Sequence, residues 1–258
     1  MPSLIEMKNI YKFFGGLCAT SNISLKIGKG EVIGLVGDNA AGKSTLMKML
    51  SGVHPPTSGQ IYIDGHPTVF KSPRDARDAG IEMLFQIQDL AMVPELDVVD
   101  NLFLGKELYK KLFGKYELKF LLDRKTMRDR SRIFLKELGV NVDSVTEKTK
   151  NLSGGQQQSV LIARTVFFDA RLVILDEPTS SISVRETRKV LDLILQLKAK
   201  GVSVIIVSHR MDDVFSTADR IVVLRRGKKI EDIRKEDTTM DYIIKKIISI
   251  EKENMIEN

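Results

Sequence analysis

The sequence predicts an α/β fold: a mixed sheet core with an inserted helical subdomain. Three observations carry that reading. Apolar runs of strand length recur along the chain, many of them precede a helical pattern or a glycine-rich turn, and between Asp97 and Phe168 these signals fade into long, charged, helix-favouring stretches. The runs are Leu4 to Ile10, Ile23 to Ile27, Val32 to Val36, Ile61 to Ile63, Ile81 to Phe85, Leu172 to Leu175, Val202 to Val207 and Ile221 to Leu224. Residues 1–96 and 169–258 are read as the α/β core and 97–168 as the helical subdomain, so that 1–258 forms a single domain without an internal repeat or linker. Near the end, Ile243, Ile244, Ile247 and Ile248 fall at helical spacing, which predicts a last helix packed back onto the body.

Composition narrows the function. With 43% apolar and 29% charged residues the 258-residue chain reads as globular, and no apolar run approaches the roughly 20 residues of a membrane span. Glu6 interrupts the apolar start and no small-residue cleavage site follows, so a signal peptide is not expected and the chain is expected in the cytosol. Cys18, the only cysteine, excludes an internal disulfide and a cysteine-built metal site, and is expected to be a small buried hydrophobe. From Gly105 to Arg132 there are ten Lys or Arg against four Asp or Glu, an excess that equals the net charge of +6 of the whole chain. A solvated helical face, anionic lipid headgroups or an acidic partner surface would each account for it. Nucleic acid is not expected, because no aromatic platform or groove-reading motif accompanies the charge.

Chemistry first appears at Gly37-Asp38-Asn39-Ala40-Ala41-Gly42-Lys43-Ser44, which fits G-x-x-x-x-G-K-[ST] between the strand ending at Val36 and the helical stretch from Lys43 to Leu50. A chance match in a chain of this length has a probability of roughly 1%. The glycines let backbone N–H groups turn inward around phosphate oxygens, and the helix start adds partial positive charge. Lys43 is placed to reach the β- and γ-phosphates and Ser44 to ligate Mg²⁺, with Thr45 counted among the nucleotide-binding residues. A bound nucleoside triphosphate is the implication.

The run Leu172-Val173-Ile174-Leu175-Asp176-Glu177 reads as a buried strand ending in two carboxylates. Neighbours at a strand end point to different sides, so Asp176 is expected to hold Mg²⁺ while Glu177 polarises a water. His209 follows another core strand through Ser208 and is expected to hydrogen-bond a γ-phosphate. His54 and His66 stand in turn sequences and receive no role.

At Leu152-Ser153-Gly154-Gly155-Gln156 a second candidate anion site opens a helix. Together with the phosphate loop, the Asp-Glu strand end and the Ser-His pair, in this order, the chain resembles the nucleotide-binding subunit of an ATP-binding cassette (ABC) transporter, a P-loop NTPase, over Leu4 to about Ile230. The resemblance implies ATP and Mg²⁺ as cofactors, hydrolysis of ATP, and a head-to-tail dimer in which Ser153, Gly154, Gly155 and Gln156 close over ATP held by another subunit. It implies that Phe14, followed by Gly15-Gly16, stacks on adenine. The glutamine linking metal and water to the membrane partner is Gln86 in the upstream frame, which is preferred, and Gln88 in the downstream frame. Where the family has an interface aspartate this chain has Ser183, which implies weaker signalling between the ATP sites.

Further segments resemble the simple-sugar uptake branch: Asp89 to Val93 with Leu96-Asp97-Val98, Asn101 to Gly105, and Ala218 to Gly227. The implied partners are a second cassette subunit, identical or sister, an integral membrane permease and, indirectly, an extracytoplasmic sugar-binding protein. The implied location is the inner face of the cell membrane, as a peripheral cytoplasmic subunit. A soluble cassette ATPase driving iron-sulfur assembly shares the nucleotide motifs and stays open as the alternative; a nucleic-acid cassette lacks its usual tandem domains or coiled-coil insertion here.

Overall fold

The computed structural model describes residues 3–85, 92–112 and 116–248. The chain divides into two compact units: one holds Met1–Met83, Ala170–Pro178 and Leu197–Asn258, the other Leu84–Asp169 and Thr179–Gln196.

In the first unit β1 (Ser3–Phe14) and β2 (Leu17–Gly28) form an antiparallel hairpin turned at Gly15, whose φ of 56° suits a residue without Cβ. Ile23, Leu25 and Ile27 alternate at period two, and all three are buried. Cys18 is exposed, which corrects the expectation of a buried thiol: it pairs with Phe13 near the hairpin end, where Phe14 and Leu17 are exposed too. β3 (Val32–Val36) is buried at every residue, as a strand covered on both faces must be. It leads to α1 (Lys43–Leu50), which buries Leu46, Met47, Met49 and Leu50. β4 (Ser58–Ile63) and β5 (His66–Thr68) extend the hairpin sheet. The short α2 (Pro73–Asp78) starts on a Ser72/Asp75 capping box with Pro73 in its first turn, and β6 (Ile81–Leu84) follows.

The second unit opens with α3 (Val98–Phe103), capped by the Asp97 carboxylate, which accepts from the Asp100 N–H at 2.7 Å. Instead of continuing as helix, the charged stretch forms a two-stranded hairpin, β7 (Tyr109–Leu112) with β8 (Tyr116–Leu122). The alternation Tyr116, Leu118, Phe120, Leu122 carries strand periodicity beneath the charges, and Phe120 remains 84% exposed. The basic cluster is therefore shared between this hairpin and α4 (Arg124–Glu137), which buries Met127, Ser131 and Leu135 at i, i+4 and i+8. Arg124 bridges Asp97 at 2.9 Å and Asp100 at 2.8 Å, and Phe103, Phe134, Phe167 and Phe168 pack edge to face nearby. α5 (Gly154–Val166) follows in the same unit.

The chain then runs through β9 (Leu172–Asp176), α6 (Val184–Ala199), β10 (Ser203–Val207), α7 (Met211–Thr217), β11 (Arg220–Arg225), β12 (Lys228–Arg234) and α8 (Met240–Ile248). Among the described residues the main sheet has the order β12-β11-β3-β10-β9-β6, with β11, β3, β10 and β9 parallel and β12 antiparallel to β11, which is the mixed sheet expected. Of the four isoleucines expected to dock the last helix, Ile243 is buried, Ile244 and Ile247 are half-buried and Ile248 is exposed. Because β3, β10 and β9 are parallel and in register, their carboxyl ends emerge at one edge of the sheet. Among the described residues no helix is long and apolar enough to cross a membrane.

Candidate functional site

The phosphate loop leaves β3 through three residues of positive φ: Gly37 at 146°, Ala40 at 63° and Gly42 at 96°. Two of these must be glycine, because a Cβ on Gly37 would lie 2.0 Å from the Leu224 carbonyl oxygen and one on Gly42 would lie 2.7 Å from that of Ala19. The loop is pinned further by the Gly227 N–H donating to Ala41 O at 3.1 Å and the Ala41 N–H donating to Asp38 O at 3.1 Å. Asp38, Asn39 and Ala40 stay exposed at its rim, and Ala40 keeps its left-handed backbone without the glycine exemption. The result is a concave run of backbone at the start of α1, the geometry that binds anions.

Lys43 folds back over the loop, its Nζ donating to Gly37 O at 2.6 Å and Asp38 O at 2.8 Å. Burial holds its pKa below the usual lysine range, partly offset by the carboxylates of Glu177, Asp176 and Asp38. Ser44 is exposed beside it, with its Oγ 3.5 Å from Asp176 Oδ2, and Thr45 is half-buried on the next position of α1.

Asp176 ends β9 opposite Val207 of β10, and the Glu177 N–H continues the pairing by donating to Val207 O at 2.8 Å. Glu177 takes a φ of 52°, a strained value for a residue with a side chain, at the point where the strand turns. Its carboxylate accepts the His209 N–H at 3.1 Å, lies 2.8 Å from His209 Nδ1 and accepts the Ser208 hydroxyl at 3.5 Å. Burial first, and the Glu177 charge second, hold the Asp176 carboxyl above its ordinary range. The structure thus brings Gly37 to Thr45, Asp176, Glu177 and His209 together, with His209 held against Glu177, and adds Ser208, whose Oγ also accepts the Arg210 N–H at 3.0 Å.

Phe14 lies at the turn end of the β1–β2 hairpin, 44% exposed, with His54 packed edge-on at 5.6 Å between ring centroids. Gln86 and Gln88 both lie outside the described residues. Among the described residues no group of three or more His, Cys, Asp or Glu side chains could hold a metal ion. Ser44 and Asp176 are two oxygen donors side by side at the phosphate loop, a pairing suited to an ion that keeps waters and takes phosphate oxygens.

The signature residues belong to the second unit. Ser153 caps α5 reciprocally: its Oγ accepts the Gln156 N–H at 3.3 Å while Gln156 Oε1 accepts the Ser153 N–H at 3.0 Å. Gly155 is required by a close approach, since a Cβ there would fall 2.5 Å from both Cβ and Cγ of Glu186. The Ser153 hydroxyl and the Gly155 N–H beside that carboxylate hold its pKa below the usual range, and Glu186 in turn accepts the Ser183 hydroxyl at 3.1 Å at the start of α6. A cavity of about 160 Å³ beside Ser153, Gly155 and Gln156 is lined also by Glu186 and Lys189. Glu186 escaped the motif reading, although Ser183-x-x-Glu186 is itself a helix-start pattern.

A phosphate loop at the end of a central parallel strand, a carboxylate pair ending the strand two places over and a Ser-His turn on the strand between define a P-loop NTPase of the ATP-binding-cassette fold. The ABC transporter family profile matches residues 20–180, and the chain belongs to that family. It is 43% identical to the xylose/arabinose import ATP-binding protein XylG of Sulfolobus acidocaldarius, over 94% of this chain and 93% of that one. It is 38% identical to the fructose import ATP-binding protein FrcA of Rhizobium meliloti, over 92% and 90%. Among solved structures, the ATP-binding cassette MJ1267 of an ABC transporter superposes with a TM-score of 0.81 at 27% identity, covering 97% of this chain and 99% of that one.

Proposed function

We propose that this chain is the ATP-hydrolysing subunit of an importer of simple sugars and acts on a separate membrane permease. The observation that carries the enzymatic part is the convergence of Lys43, Ser44, Asp176, Glu177 and His209 at one edge of the sheet. In this reading the phosphate loop and Lys43 bind the triphosphate, Phe14 takes the adenine, and Ser44 with Asp176 holds Mg²⁺. The ion, when bound, neutralises charge on the β- and γ-phosphate oxygens. The raised pKa of Asp176 supports the assignment, because a buried carboxylate beside another carboxylate is stabilised by a divalent cation. Glu177 takes up the proton of the attacking water, and His209, whose Nδ1 is 2.8 Å from its Oε1, hydrogen-bonds the γ-phosphate. Gln86 would relay the state of the site to the permease.

Ser153, Gly154, Gly155 and Gln156 close over ATP bound to a second subunit, so that two ATP molecules are held between two cassettes. ATP binding closes that dimer, the motion is passed to the permease, and hydrolysis reopens it. Ser183 caps α6 through Glu186 where the family carries an interface aspartate, which supports weaker coupling between the two ATP sites. The sugar class is supported by the names of the two relatives, which import a pentose pair and a hexose; the permease, the extracytoplasmic binding protein and the cytoplasmic face of the membrane follow from the same reading. Reconstitution tests it: with the cognate permease in vesicles, ATPase activity should rise when a sugar-loaded binding protein is added. Activity that ignores both permease and sugar would point instead to a soluble assembly ATPase.

A further inference from the structure

The Phe14 ring is held by two groups that the chemistry above leaves unused. Lys12, two residues back on β1, brings its Nζ to 5.1 Å from the ring centroid. Its ammonium does not swing freely, because it also donates to Pro55 O at 2.7 Å. His54 meets the ring edge to face, with the two planes 79° apart. The two segments are stitched together by the Thr57 N–H donating to Tyr11 O at 2.8 Å and the Phe13 N–H donating to Thr57 Oγ1 at 3.0 Å. Phe14 is thus fixed from the turn that follows α1, while nearly half of its surface stays open.

We propose that Lys12 and His54 are positioning residues for the nucleobase: they set the plane of Phe14 and close one of its faces, so that a flat base stacks on the other. The inference rests on the reading of Phe14 as the adenine platform. A cation over one face draws π density toward itself, which favours an electron-rich ring on the opposite face, and the edge contact with His54 removes the ring rotation that stacking would otherwise have to arrest.

The experiment uses the full chain and two ligands, MgATP and magnesium tripolyphosphate, the second having no base. His54→Leu should raise the dissociation constant for MgATP by about two- to tenfold and leave that for tripolyphosphate unchanged. Lys12→Met should act in the same direction, and His54→Phe, which keeps an aromatic edge, should return ATP affinity to within about twofold of the parent. Parental ATP affinity in His54→Leu, equal losses for both ligands, or failure of His54→Phe to restore binding would each overturn the proposal. Phe14→Ala separates the two layers: if it binds MgATP as the parent does, the stacking reading itself is wrong, whereas a loss there with His54→Leu silent removes only the positioning role.

Discussion

Gly37→Ala should damage the fold as well as the nucleotide site, and the two costs can be worked from the loop. Gly37 has a φ of 146°, where L residues are strained, and its missing Cβ would lie 2.0 Å from the carbonyl oxygen of Leu224, a fully buried residue of β11, the neighbour of β3 in the main sheet. Backbone strain of this kind costs about 1–3 kcal/mol. Overpacking against backbone, which no rotamer can relieve, costs about 1–3 kcal/mol more. A combined loss of about 2–6 kcal/mol should lower the melting temperature by roughly 4–24 °C at about 2–4 °C per kcal/mol for a chain of this size. The assay is thermal and urea unfolding without nucleotide, so that ligand linkage adds nothing. Gly16→Ala is the control, since a Cβ there meets nothing within 4 Å, and it should change stability by less than about 0.5 kcal/mol. Equal unfolding midpoints for the two variants would refute the seating of the loop against β11.

Three further outcomes follow from the same geometry. Lys43→Ala should abolish tight MgATP binding in a titration while leaving the melting temperature equal or higher, because burial already penalises the ammonium. Folding favours the protonated form of Asp176, whose pKa is raised above its ordinary 3.8; its contribution is therefore favourable at low pH and is lost as pH rises through the folded-state value, leaving a cost at neutral pH. Asp176→Asn without nucleotide or metal should accordingly be at least as stable as the parent at pH 7, with the gap closing as pH falls toward 4, and a variant less stable at pH 7 would contradict this. Gly155→Ala, with its Cβ 2.5 Å from Glu186 Cβ, should destabilise the chain by about 1–3 kcal/mol in urea unfolding, and a neutral result would mean that α6 yields more readily than its packing suggests.

Contiguous chemistry was legible in the sequence, and chemistry made by tertiary register was not. Gly37 to Ser44 reads directly because strand, loop and helix follow one another, and the Val32 to Val36 run matches β3 end for end. The contact of His209 with Glu177 joins residues 32 apart, and it exists because β9 and β10 are parallel with Val207 opposite Asp176, a register that no hydrophobic period reports. The β7–β8 hairpin was hidden because charge dominates its composition while the period-two signal sits in four apolar residues. Cys18 was misjudged by residue type, since a thiol near the tip of a projecting hairpin has no core to enter. Lys12 and His54 carry no motif, and their relation to Phe14 emerges only when β1 and the turn after α1 are seen side by side.

The proposed function requires ATP to be held between two copies or sisters of this cassette, each closing the other's site with Ser153 to Gln156. Sedimentation velocity of Glu177→Gln, in which the proposed base is removed and ATP should persist, reads that requirement. Saturating MgATP should convert the monomer to a dimer, and adding Ser153→Ala to the same chain should weaken that conversion; a species that stays monomeric at saturation, with the permease supplied as well, would rule out a site shared between two cassettes.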